Sequence, residues 1–151
     1  MPVSRAMRRL LQVLEIQEEE CRAAMELARA EFERLEQALT RGRERERGGR
    51  RLIAASAATA DATDRIAGLE ETRTGKRIAA ALAPRIVEAE AVVNERRGEF
   101  LGKRIERLQT ETLIQEAEAQ DRIEAGRSAQ RELDGWFLNR RDISRKKPRK
   151  E

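Results

Sequence analysis

Residues 7–39 read MRRLLQVLEIQEEECRAAMELARAEFERLEQAL. Alternating steps of four and three from Met7 pass through Leu11, Leu14, Glu18, Cys21, Met25, Ala28, Phe32, Leu35 and Leu39. This is the a/d spacing of a coiled-coil helix, and only Glu18 interrupts it. The residues between are mostly Glu, Arg, Gln and Ala, good helix formers that keep the opposite face solvated. A stripe this narrow is not buried by its own helix, so the spacing requires a partner helix.

Composition agrees. Of 151 residues, 40% are charged and 3% aromatic, too few large apolar groups for a layered core but enough for long helices with a thin seam. The fold class expected is therefore all-α. One cysteine excludes an internal disulfide and fits a reducing compartment. Arg8, Arg9 and Glu15 interrupt the only apolar run near the start, so no signal peptide or membrane span is expected and the chain reads as cytoplasmic. The net charge of +4 is concentrated at the end: residues 140–151 hold seven basic and two acidic residues, a net +5, leaving 1–139 near neutral.

Ser4 is a candidate N-cap for the first helix. Arg5, Arg8 and Arg9 place positive charge where the helix dipole favours acids, which reads either as a binding end or as a plain exposed turn. Three later stretches are candidate breaks. Residues 40–51 alternate charges around Gly42, Gly48 and Gly49; residues 72–76 read Thr-Arg-Thr-Gly-Lys; and Pro84 can open a new helix or kink a continuous one. Antiparallel pairing arbitrates. If facing position numbers sum to 147, Leu39 meets Leu108, Leu14 meets Leu133, Leu11 meets Trp136, and Gly42 faces Ile105. The expected fold is then a long antiparallel two-helix coiled-coil hairpin over 1–139, with helix 1 about 4–72, the turn about 73–76, helix 2 about 77–138, and a basic, flexible tail over 140–151. Each arm would be of order 100 Å at about 1.5 Å per residue. A three-helix arrangement broken near 45 and 84 is the alternative. The second helix carries a stripe through Ile78, Leu82, Ile86, Ala89, Val93, Phe100, Leu101, Ile105, Leu108, Thr112, Ile123, Leu133 and Phe137, with a stutter expected at Phe100–Leu101. So little buried area suggests that a partner completes the structure.

Catalysis is not expected. There is no histidine, the commonest general base and metal ligand, and no phosphate-binding glycine loop following a strand. Cys21 sits on the seam, where a thiol is ordinarily inert packing. No cofactor, metal or small-molecule substrate is expected. Three features could carry function. One is the apex, Leu69 to Leu82, with Lys76 and Arg77 beside Ile78. Another is the end where Arg8 and Arg9 would lie near Trp136, Phe137, Arg140 and Arg141. The third is the basic tail from Arg145.

A single helical hairpin of about 150 residues, opening with Arg8-Arg-Leu-Leu-Gln-Val-Leu-Glu-Ile-Gln-Glu-Glu-Glu-Cys-Arg-Ala-Ala, resembles the stalk proteins of type III secretion systems, the FliJ/YscO family. The resemblance rests on architecture, length and this loose N-terminal pattern. It implies a non-enzymatic stalk, similar to the gamma subunit of rotary ATP synthases, that binds and stimulates a hexameric secretion ATPase. It also implies contact with the export gate and with secretion chaperones, and a cytoplasmic place peripheral to the inner membrane. Carried over by position, Arg8, Arg9, Trp136, Arg140 and Arg141 would face the ATPase, and Leu69, Lys76, Ile78 and Leu82 the export gate. The basic tail is outside the family pattern. Two other classes compete: a nucleic-acid binder acting through that tail by salt-sensitive contacts, and a coiled-coil scaffold that pairs between chains.

Overall fold

The computed structural model describes residues 5–145, with side chains placed for 5–141. The Ser4 cap and the tail beyond Arg145 lie outside the described residues. Two helices make up the described residues, α1 (Arg5–Thr59, 55 residues) and α2 (Ala62–Arg145, 84 residues), packed antiparallel as a hairpin. The packing divides into two compact units, one of Ile16–Arg104 and the other of 5–15 with 105–145.

The expected α1 seam is present residue for residue. Met7, Leu11, Leu14, Glu18, Cys21, Met25, Ala28, Phe32, Leu35 and Leu39 are each buried or half-buried. The same spacing continues through Gly42, Glu46, Gly49, Ile53 and Ser56, so Gly42–Gly49 is neither a loop nor a break.

The turn is not at 73–76 but at Ala60–Asp61, which ends helix 1 at Thr59 instead of 72. Ala60 adopts φ 57°, the left-handed conformation that commonly terminates a helix. Asp61 then caps α2, its Oδ1 accepting from the Thr63 amide at 2.9 Å and the Asp64 amide at 3.3 Å. Asp64 adds a negative charge in the first turn of α2. None of the three candidate breaks interrupts a helix. Pro84 lies inside α2 on an exposed face, where a missing N–H costs the seam nothing.

Moving the turn replaces the register. In the Ile16–Arg104 unit, Gly49 meets Gly68, Gly42 meets Gly75, Arg45 binds Glu71 and the Arg22 guanidinium lies over the Phe100 ring. Those position numbers sum to between 116 and 122, not 147. Gly42 accordingly faces Ile78, not Ile105, and a Cβ placed on Gly42 would fall 2.8 Å from Ile78 Cγ2. A Cβ on Gly49 would fall 2.6 Å from the Gly68 carbonyl oxygen and the Thr72 amide, and one on Gly75 2.6 Å from the Gly42 oxygen. Four glycines thus let the two backbones approach more closely than any side chain allows. Across this contact the Arg45 guanidinium makes two hydrogen bonds to the Glu71 carboxylate, one of them Nη2 to Oε1 at 3.0 Å.

On α2 the buried or half-buried residues follow heptad spacing through Gly68, Thr72, Gly75, Ala79, Leu82, Ile86, Ala89 and Val93. The spacing continues through Phe100, Lys103, Arg107, Thr110, Ile114, Ala117 and Asp121. The stutter expected at Phe100–Leu101 is absent. Two stripes diverge there: one stays against α1 through Thr110 and Ile114, and the apolar one expected to face α1 points away from it. The core is thin. Leu14, Leu35, Phe100 and Ile114 are its buried apolar residues, and among the described residues no large side chain is fully buried.

Candidate functional site

In the unit formed by 5–15 and 105–145, Arg8 Nη2 hydrogen-bonds Glu118 Oε1 at 3.3 Å, and the position numbers of this pair sum to 126. Three described residues of α1 precede Arg8, whereas 27 residues of α2 follow Glu118. Among the described residues, the C-terminal part of α2 therefore runs on without α1 beside it. Every residue from Arg122 to Asp134 is exposed, as a lone helix requires.

The lone segment ends in an apolar cluster. Trp136, Phe137 and Leu138 are 53%, 61% and 65% exposed, unusual for three consecutive large apolar side chains. The Trp136 and Phe137 rings pack edge to face, centroids 5.1 Å apart and planes at 77°. The Arg140 guanidinium stacks over the Trp136 ring at 5.1 Å. Arg141 is exposed beside them. An amphipathic aromatic platform with cations at its edge is suited to a protein surface that offers an apolar pocket rimmed by acids.

Of the residues expected at one end, the structure brings together Trp136, Phe137 and Arg140 and separates Arg8 and Arg9 from them. Eighteen residue steps of helix separate Glu118, where Arg8 is held, from Trp136, about 27 Å at 1.5 Å per residue. Trp136 does not face Leu11, and the two ends are not side by side. The separate tail expected from 140 is also corrected, because α2 continues through Arg145.

The apex set disperses for the same reason. Leu82 lies about 30 Å along α2 from the turn. Ile78 is half-buried against Gly42 and Leu82 is half-buried on the seam, so both are packing residues. Leu69, 41% exposed, and Lys76 face outward from the flank of α2. The actual apex is Ala60–Asp61, which sequence reasoning missed. The signal was present in Asp61-Ala-Thr-Asp64, a cap residue with an acid three places on.

Other chemistry is sparse among the described residues. There is no cluster of His, Cys, Asp or Glu with metal-binding geometry, and no helix is long and apolar enough to cross a membrane. Cys21 is half-buried on the seam. Hydrogen bonding to Arg45 holds the Glu71 carboxyl below its usual range, and the same bond raises the Arg45 guanidinium. That pair is an interhelical clasp at the surface. Compared with known proteins, the chain matches no family model, no curated protein and no solved structure.

Proposed function

We propose that this chain is a non-enzymatic stalk of a type III secretion system of the FliJ/YscO kind, engaging a hexameric secretion ATPase through the C-terminal extension of α2. The single observation that carries the reading is the exposed Trp136–Phe137–Leu138 cluster with Arg140 and Arg141, borne on a helix that outruns its partner. A lone helix with an aromatic tip enters a narrow central opening more easily than a paired one. Its charged flanks make polar contacts that differ from subunit to subunit without locking it in place. The hairpin architecture and the heptad seam of α1 are what the resemblance requires. Contacts with an export gate and with secretion chaperones, at the cytoplasmic face of the inner membrane, belong to the same proposal. Leu69 and Lys76 are the outward-facing residues of the former apex set available for them.

The test is to add the purified chain to the cognate secretion ATPase and measure turnover and hexamer population. Stimulation that is lost in Trp136→Ala, with helicity retained, supports the reading. An unchanged rate and oligomeric state with the unmodified chain overturns it.

A further inference from the structure

Beyond Arg104, α2 carries two faces with different fates. Arg107, Thr110, Ile114, Ala117 and Asp121 turn toward α1. On the opposite side, positions 105, 108, 112, 116, 119, 123, 126, 130, 133 and 137 fall within about 100° of one another at 100° per residue, a continuous stripe. They are Ile105, Leu108, Thr112, Glu116, Ala119, Ile123, Gly126, Gln130, Leu133 and Phe137. The large apolar members are all open to solvent: Ile105 55%, Leu108 44%, Ile123 55%, Leu133 54% and Phe137 61% exposed. A shallow apolar groove runs along Ile105, Leu108, Thr112 and Leu113 on this face.

The order of residues in the stripe says what covers it. Reversed about position 121, the pattern falls largely onto itself. Ile105 falls opposite Phe137, Thr112 opposite Gln130, Glu116 opposite Gly126 and Ala119 opposite Ile123, while Leu108 comes within one position of facing Leu133. Apolar meets apolar at both ends, polar meets polar inside them, and a small residue meets a large one beside the centre. Charge chooses the same direction. Residues 105–121 hold five acids and one Arg, a net −4, whereas the segment that would face them, 122–137, holds three Arg and three acids, a net of zero. A parallel pair would lay the −4 segment on itself, while an antiparallel pair lays it against Arg127 and Arg131. Arg127 then lies on the same flank as Glu116 of the other chain, one position from perfect register.

We propose that the outward face of α2 from Ile105 to Phe137 is a self-association surface, on which a second copy of this chain pairs antiparallel about a two-fold axis near residue 121. An isologous contact of this kind needs one surface that complements itself, and this stripe does. The segment is about 50 Å long and a helix face is about 10 Å wide, which makes a small interface of the reversible class. Pairing is therefore concentration-dependent. It covers Phe137 but leaves Trp136, about a quarter turn away, accessible, so self-association and the stalk function compete for the neighbouring ring only.

Sedimentation equilibrium of the full chain across a concentration series gives the first reading. The mass rises from 17.3 kDa toward twice that value, and Leu108→Glu or Leu133→Glu returns it to 17.3 kDa with helicity retained. A monomer mass at every concentration overturns the proposal. Direction is read by oxidation in a Cys21→Ala background. Ile105→Cys and Phe137→Cys chains cross-link when mixed and not when either is alone. Cross-linking of Ile105→Cys with itself means a parallel pair, and also overturns the proposal. Neither reading involves the ATPase, so failure here is distinguishable from failure of the stalk assignment.

Discussion

Gly48 and Gly49 are chain neighbours with opposite surroundings, and replacing each by alanine should change stability in opposite directions. In a helix interior, alanine is favoured over glycine by about 1 kcal/mol. At Gly48 a Cβ meets nothing within 4 Å, so the propensity term stands alone and Gly48→Ala should stabilise the hairpin by about 0.5–1 kcal/mol. At Gly49 the added methyl would sit 2.6 Å from the Gly68 carbonyl oxygen, the Thr72 amide nitrogen and the Thr72 Oγ1, where ordinary contact begins at 3.4 Å. Backbone atoms cannot rotate aside, so the helices must separate locally by most of an ångström. Overpacking of that kind costs about 1–3 kcal/mol, which outweighs the propensity gain and leaves Gly49→Ala destabilised by about 1–2 kcal/mol. Urea unfolding followed by circular dichroism reads both values on the same scale. Gly68→Ala and Gly75→Ala should behave like Gly49→Ala, and Gly98→Ala, with nothing within 4 Å, like Gly48→Ala. Equal effects at Gly48 and Gly49, or a loss at Gly98 with a gain at Gly68, would refute the close approach and the register behind it.

Other consequences are local to the turn and the clasp. Ala60→Gly relieves a left-handed residue that carries a Cβ and should raise stability by about 0.5–1 kcal/mol, measured by thermal melting. Asp61→Ala removes the α2 cap and should lower it by about 1 kcal/mol, with amide exchange accelerated first at Thr63 and Asp64. The Arg45–Glu71 clasp is pH-dependent through Glu71, whose pKa is lowered from 4.5 chiefly by its hydrogen bond to Arg45. A depressed carboxyl stabilises the fold above its unfolded pKa and loses that effect as pH falls through the folded value. The melting difference between the unmodified chain and Arg45→Gln should therefore be present at neutral pH, begin to fade as pH falls toward 4.5 and be gone once pH is below the depressed folded value; a difference that persists where Glu71 is protonated in both states contradicts the clasp.

What was legible in the sequence was periodicity. The α1 seam from Met7 to Leu39 could be named residue by residue because large apolar groups mark nearly every a and d position, and each of those positions is buried or half-buried. The seam became illegible where it continues in glycine. Gly42 and Gly49 are its next members, but a glycine on a close helix contact looks like a glycine in a loop until the facing residue is known. Gly75, between Thr74 and Lys76, looks like turn chemistry for the same reason. The true turn uses Ala60, a residue with no turn preference, and only Asp61 betrayed it. On α2 a second apolar stripe leaves the first at Phe100–Leu101, and following the more apolar of the two led outward, to Leu133 and Phe137. The aromatic tip at Trp136 was visible as composition. Its position on an unpaired helix depends on register, which no local pattern specifies.

The single fold-back at Ala60–Asp61 is tested most directly by spin labels on Glu26 and Ala91, both exposed positions within the Ile16–Arg104 unit. They flank Met25 and Val93, which line one groove between the helices. With helix axes about 8–10 Å apart, the labels should report a separation on the order of 10–20 Å. A turn at 73–76 would place Ala91 some 30 residues away from the position facing Glu26, and a distance near 45 Å would contradict the fold.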